Sequence, residues 1–373
     1  MEAPVIRPAP LVEAIAPMTP FIGPEQLMRE TGRSELVRLG ANESAFGPSP
    51  QAVAAMTAEL EQLWWYGDPE SYELRVALAR KHGVAVDEVL VGAGIDDLMG
   101  LAVRGFVPPG AAALTTRGSY PTFNYHVHGY GGKLVFAHYR ADGTLDLDEL
   151  AAVAARESAA LIYLANPDNP SGTFIGRDEM RRFFEAIPHD TVFLLDEAYA
   201  DFVEESSLLP MHLEDRLIRT RTFSKAYGLA GARIGYAIAT ERVIGILQKI
   251  RLQYGVNRSA QIGALASLAD EPFRRHVVDA VAQARDGYYA LARDLGLGSI
   301  PSFTNFVCID LGDAQRATAV MNELLTRHGV WIRKPGLPPL DRYVRVSAGT
   351  PPMRDAFAAA FRDVVAAVPS LIA

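Results

Sequence analysis

Between residues 88 and 239, short apolar runs recur along the chain, at 88–92, 112–116, 133–138, 160–165, 191–196, 217–223 and 233–239. Most are rich in Val, Ile and Leu and alternate little with polar residues. That is the pattern of strands buried on both faces, where neither side of the pleat meets water. Between several of them, as at 147–158 and 177–186, the apolar positions change to the period of a helix with one buried stripe. Strand–helix–strand alternation predicts an α/β fold, with a mostly parallel sheet flanked by helices.

The last third has a different rhythm. Residues 272–296 carry one long helical pattern, followed by strand-like pieces at 304–310 and 343–347 and helices at 314–328 and 353–368. This reads as a smaller α+β module. The proline-rich N-terminal stretch holds too little helix or strand to fold alone and is expected to pack on that module. The expected division is a large domain at 46–275 and a small one made of 1–45 and 276–373. No internal repeat stands out, which sets solenoids aside.

Composition narrows the function classes. A chain of 373 residues suggests two domains and needs no disulfide or metal staple to bury a core. Its 36 basic and 44 acidic residues leave a net charge of −8, a poor balance for non-specific nucleic-acid or anionic-membrane binding. Cys308 is the single cysteine, so no internal disulfide and no Cys-rich metal site can form. The N-terminus lacks a basic start followed by an apolar core, and the uncharged stretches 44–58, 118–132 and 295–309 fall short of a membrane span. A soluble cytoplasmic protein is expected.

Several familiar motifs are missing. Gly92-Ala93-Gly94 begins like a dinucleotide fingerprint, but Asp97 stands where the third glycine belongs. There is no Gly-x4-Gly-Lys phosphate loop, no His-Glu-x-x-His pair and no Gly-x-Ser-x-Gly elbow. His126 and His128, two apart, fall on different faces of a helix, and no metal site is expected.

Four segments carry candidate chemistry. In Ser224-Lys225-Ala226-Tyr227-Gly228-Leu229-Ala230-Gly231-Ala232-Arg233, a lysine follows an apolar run and precedes small residues and an arginine. Small residues let an anion approach the backbone, and a lysine among cationic and apolar groups has a lowered pKa and can form a Schiff base. The plain alternative is a solvated lysine at a strand end. Asp196, in Leu195-Asp196-Glu197-Ala198-Tyr199, ends another strand, where α/β sheets bind ligands; a helix cap or structural ion pair is the alternative. Asn166-Pro167-Asp168-Asn169-Pro170 is a rigid turn of the kind that admits cis bonds, or simply a turn. Gly94-Ile95-Asp96 opens a helix whose backbone donors suit a phosphate, or only needs a cap.

In this order and context the four segments resemble the fold-type-I pyridoxal-phosphate aminotransferases, and more narrowly their histidinol-phosphate aminotransferase branch. Further matches run almost end to end: Leu39-Gly40-Ala41-Asn42-Glu43-Ser44, Gly47-Pro48-Ser49-Pro50, Tyr66-Gly67-Asp68-Pro69 and Arg345-Val346-Ser347-Ala348-Gly349-Thr350. The resemblance implies an aspartate-aminotransferase-like fold, pyridoxal 5'-phosphate as cofactor, an amino donor with a 2-oxo acid acceptor, and a homodimer.

It also implies roles. Lys225 would hold the cofactor aldehyde covalently and, once freed by substrate, move the proton between Cα and the cofactor. Asp196 would pair with the ring nitrogen. Asn169 and Tyr199 would hydrogen-bond the ring oxygen, and Tyr120 would stack on the ring, with Phe123 as its substitute because the segment is one residue short of the family spacing. The amides around Gly94, Ile95 and Asp96, with Ser224 and Arg233, would hold the phosphate, joined by Tyr66 of the partner subunit. Arg345, helped by Asn42, would bind the α-carboxylate.

Three positions depart from the family pattern. Ile95 replaces a small residue, and Gln253 a proline. Phe21 replaces a tyrosine near the substrate's phosphate end, where Arg333 remains. Histidinol phosphate with 2-oxoglutarate is the leading reaction. An aromatic or other amino donor, and decarboxylation of the threonine-phosphate type, are the alternatives, with a non-enzymatic binding protein behind them.

Overall fold

The computed structural model describes residues 6–15, 22–211 and 213–368. Among them the strands are β1 (Val37–Arg38), β2 (Val89–Gly92), β3 (Ala112–Thr116), β4 (Lys133–Ala137), β5 (Leu161–Ala165), β6 (Val192–Asp196), β7 (Leu217–Thr222), β8 (Gly235–Ile238), β9 (Gly298–Ile300), β10 (Phe306–Asp310), β11 (Val330–Trp331) and β12 (Tyr343–Ser347). Strands β2 to β8 form one sheet in the order β2-β8-β7-β6-β5-β3-β4. All pairings are parallel except those of β8, which runs against both neighbours. The expected α/β architecture with a mostly parallel sheet is the one observed.

Both faces of this sheet are covered. On β5, Ile162 and Leu164 join a core with the helices Leu147–Glu157 and Arg177–Ala186. Leu161, Tyr163 and Ala165 join another with the helices Ile95–Phe106, Thr122–Gly129 and Glu241–Gln248. With both sets of alternating side chains buried, the strand cannot read as apolar–polar, which explains the continuous runs in the sequence.

A second sheet, β12-β10-β9, is antiparallel and shares a core with the helices Ala314–His328 and Pro351–Ala367. Leu39 is part of that core, and β1 lies parallel to β11, so residues 37–39 pack on the C-terminal module. The long helix Glu271–Asp294 serves both modules. Val277, Val281 and Ala284 face the core of the large sheet, while Tyr288, Leu291 and Ala292 face the small one.

The sequence pattern left β1, β9 and β11 unassigned, because two or three residues are too few to show a period. The helices Pro50–Ala58 and Tyr72–His82 were likewise silent, since their apolar residues are scattered around the axis. Among the described residues no helix is long and apolar enough to cross a membrane.

Candidate active site

The parallel strands of the large sheet end along one edge, with Ala165, Asp196 and Thr220 in register. Because β8 runs the other way, its first residue and not its last reaches that edge, and Gly235 pairs with both Gly92 and Thr222. This reversal returns the chain to the same edge, so Arg233 comes beside Gly94. The guanidinium approaches so closely that a Cβ on Gly94 would lie 2.7 Å from Arg233 Nη2. Gly94 also has φ 89°, in the region L side chains rarely adopt.

A cavity of ≈ 240 Å³ opens here. Ile95, Asp96, Tyr120, Asn169, Asp196, Tyr199, Ser224, Lys225 and Arg233 line it. Lys225 is half-buried, and its Nζ donates to the backbone carbonyl of Asn42 at 3.0 Å. Burial, then the charge of Arg345, pulls its pKa down to about 8. A substantial fraction of the amine is therefore neutral and nucleophilic near physiological pH. The carbonyl that receives it belongs to a residue with φ 56°, held by Asn305 Nδ2 at 3.0 Å and by Ser347 Oγ, which accepts from the Asn42 amide. Asn42 Nδ2 donates to Tyr199 Oη at 3.0 Å, and burial pushes that phenol up to about 12.

Two adjacent acids at the end of β6 have opposite fates. Asp196 is 4% exposed and, among the described residues, forms no ion pair. Burial raises its carboxyl to about 7, against the pull of hydrogen bonds from Tyr163 and the Ala198 amide. Glu197 is equally buried but accepts from Arg219 Nε and Arg221 Nε, each at 3.0 Å. Burial alone would raise it too; the two arginines hold it down at about 2. Asp196 thus lacks the cation that Glu197 has, and it lines the cavity.

The same cavity carries groups that could cradle an anion. Gly94 caps the helix Ile95–Phe106 with no side-chain hydrogen bond, leaving the first-turn amides of Ile95 and Asp96 available. Ile95 itself points into the core, so its bulk does not block them. Arg233 Nη2 is paired with Asp96 Oδ2 at 3.3 Å, and Tyr120 Oη donates to Asp96 Oδ1 at 3.0 Å.

A larger cavity of ≈ 910 Å³ adjoins the first and adds Asn42, Arg117, Arg333, Lys334 and Arg345. Arg345 Nη1 donates to Asn169 Oδ1 at 2.6 Å, and Arg333 Nη2 to the carbonyl of Ile22 at 2.9 Å.

Pyridoxal phosphate fits these residues on three counts. The amine is partly neutral, a buried acid lacks a cation where a ring nitrogen would supply one, and helix amides with an arginine suit a phosphate. The pattern of aminotransferase class I and II matches residues 34–361. The histidinol-phosphate aminotransferase 2 of Ralstonia nicotianae is 36% identical over 95% of this chain and 96% of its own length. The chain belongs to the class I and II aminotransferases, on their histidinol-phosphate branch. The histidinol-phosphate aminotransferase of Anaeromyxobacter sp. is 37% identical over 87% of this chain and 89% of its own length. The crystal structure of histidinol-phosphate aminotransferase from Sinorhizobium meliloti in complex with pyridoxal-5'-phosphate superposes with a TM-score of 0.94 at 41% identity, covering 99% of this chain and 100% of that one.

Within this aminotransferase, Tyr66 and Phe123, both named from the sequence, stand apart from the cavities. Tyr66 lines neither; it is 77% exposed and stacks on Tyr254 with centroids 4.5 Å apart. Phe21 lies outside the described residues. Phe123 is corrected as a candidate ring wall: it is fully buried in the core, stacked on Tyr163 at 5.0 Å, and of the two candidates Tyr120 is the one that lines the cavity. The turn after β5 has one cis bond, Asn166–Pro167. Sequence reasoning missed Tyr163 and Asn305. A tyrosine inside an otherwise aliphatic strand was the available signal, since a buried phenol needs a partner.

Proposed function

We propose that this aminotransferase uses pyridoxal 5'-phosphate to move the amino group of histidinol phosphate to 2-oxoglutarate. The observation that carries the reading is the pair lining one cavity, a lysine with a lowered pKa and a buried acid that forms no ion pair among the described residues. When bound, the cofactor ring accepts the electron pair left on the substrate Cα as its proton departs.

The chain's own residues do the rest. Lys225 would anchor the cofactor aldehyde, and its freed amine would carry the proton from the substrate Cα to the cofactor carbon on the other side of the amino nitrogen. The Asn42 carbonyl gives that amine a resting partner. Asp196 keeps the ring nitrogen protonated. Asn169 and Tyr199 hold the ring oxygen, and Tyr120 walls the ring. The amides of Ile95 and Asp96, with Ser224 and Arg233, hold the phosphate. Arg345 grips the α-carboxylate of glutamate and 2-oxoglutarate, with Asn42 beside it. Arg333 takes the phosphate of histidinol phosphate. The division at 46–275 is part of this reading, because Asn42, Arg333 and Arg345 then meet Lys225 and Asp196 across a domain boundary.

A homodimer is also part of it. Leu63, Trp64, Trp65, Tyr66, Leu252 and Tyr254 are all exposed, an apolar face of a kind that calls for a partner. Covered by a second copy, it would let Tyr66 of the partner subunit reach the phosphate. We assign the cytoplasm as compartment, a reading supported by the free, buried thiol of Cys308.

The test is a panel of amino donors with 2-oxoglutarate, including histidinol phosphate, phenylalanine and tyrosine, with carbon dioxide release followed alongside. Fastest turnover of histidinol phosphate supports the reading; negligible activity with it, or decarboxylation, overturns it.

A further inference from the structure

The acid assigned to the cofactor ring nitrogen is itself gripped by a tyrosine from the next strand. Tyr163 Oη donates to Asp196 Oδ2 at 2.8 Å, and the Ala198 amide donates to Oδ1 at 2.9 Å. The register of β5 on β6 produces this contact: Ala165 stands opposite Asp196, and Tyr163, two residues back, shares its face. The phenol has little freedom. Tyr163 is 1% exposed, its ring stacks on Phe123 at an interplanar angle of 17°, and it lines the inner cavity.

We propose that Tyr163 is a positioning residue of this aminotransferase, fixing the rotation of the Asp196 carboxyl and holding it ionised for the cofactor ring nitrogen. The inference rests on the pyridoxal-phosphate reading above. Its logic is one of donors. Burial, then the charge of Asp196, puts the Tyr163 phenol far above its ordinary pKa, so it stays a donor throughout the working range. A fixed donor favours the ionised acceptor. The other charged and titratable groups around the acid come from separate elements. Asp96, on the helix after β2, raises Asp196, and Lys225, after β7, lowers it. Tyr199, after β6, and Tyr120 also belong to the cluster and remain neutral. Tyr163 supplies the leading contribution opposing burial.

Removing one hydrogen bond to a carboxylate moves its titration by about one to two pH units, which corresponds to roughly tenfold to hundredfold in affinity for a cationic partner. Two replacements test this in the full chain: Tyr163→Phe, which keeps the stacked ring, and 3-fluorotyrosine at the same position, a stronger donor. For each, cofactor dissociation is measured from the visible absorption of the holoenzyme. The Asp196 carboxyl is titrated by isotope-edited infrared absorption before cofactor is added.

The expected result is that Tyr163→Phe raises the carboxyl titration by about one pH unit and weakens cofactor retention about tenfold. Fluorotyrosine should shift both in the opposite direction. A folded Tyr163→Phe protein with unchanged titration and retention overturns the proposal, as do two replacements that move both quantities the same way. If Tyr163→Phe fails to fold, an unchanged or raised titration with fluorotyrosine overturns it. A wild type that takes up no pyridoxal phosphate fails the cofactor reading instead, and is recognised by its lack of visible absorption.

Discussion

Arg333 and Arg345 are bonded to each other through their backbones. The Arg345 amide donates to the Arg333 carbonyl at 2.6 Å, and the Arg333 amide to the Arg345 carbonyl at 3.2 Å. Directly opposite residues of an antiparallel bridge put their side chains on one face, and both arginines line the larger cavity. Burial, then the charge of Arg345, lowers the pKa of Arg333. Two guanidiniums on one partly buried wall of the cavity suit anions, and transamination brings anionic donor and acceptor in turn.

On the proposed roles, the two arginines should be separable by substrate. Arg333→Ala is expected to raise KM for histidinol phosphate roughly tenfold to a hundredfold, the worth of a charge-assisted contact. Arg345→Lys should damage the glutamate and 2-oxoglutarate half-reactions instead, since a lysine cannot grip a carboxylate bidentately. Single-turnover kinetics with each substrate check this, and equal losses for both substrates in both variants would refute the division.

The capture of the cofactor should depend on pH through Lys225. With its pKa lowered to about 8, the amine is mostly protonated at pH 6 and mostly neutral at pH 10. The rate of cofactor uptake by the cofactor-free protein should rise with a midpoint near 8, and borohydride should fix the label on Lys225. Mass spectrometry that finds the label on another lysine contradicts the assignment.

Asp196 makes a stability prediction whose sign is fixed. Its folded pKa is raised from 3.8 to about 7, so in the cofactor-free protein its stabilisation is complete below 3.8 and gone above about 7. Asp196→Asn removes this dependence. The cofactor-free variant should resist urea better than wild type at pH 8, by up to about 4 kcal/mol, with the gap closing toward pH 4. The same variant should lose most turnover, because an amide cannot hold the ring nitrogen's proton. Matching urea curves at both pH values would remove Asp196 from this role.

For the shared site, a Tyr66→Phe chain mixed with a Lys225→Ala chain is expected to regain activity, one intact site forming per heterodimer. A fully active species that sediments as a monomer at every dilution excludes the arrangement.

The sequence made the strand-end residues legible because each motif follows directly on an apolar run. Asp196, Asn169, Lys225 and Gly94 all stand at or just beyond the ends of β6, β5, β7 and β2, and their neighbours along the chain announce them. What was hidden depends on neighbours across strands. Tyr163 reaches Asp196 only through the register of β5 on β6, which a linear pattern does not encode. Asn305 holds Asn42 from 263 residues away. Phe123 stands as a substitute for Tyr120 in the sequence because the segment is one residue short of the family spacing. The start of the helix Thr122–Gly129 turns one inward to the core and leaves the other on the cavity.

The reversed strand β8 also orders events in time. β2 has β8 as its neighbour in the sheet, yet about 140 residues of chain separate them, a long-range closure of the kind that slows folding. On a ribosome the first strand of the large sheet is made long before its partner and waits with an open edge. The proposed phosphate cradle joins the helix start at Gly94 to Arg233, so a nascent chain that stops short of β8 would lack it. On the proposed phosphate site, cofactor loading should be a late event that follows the closing of the sheet.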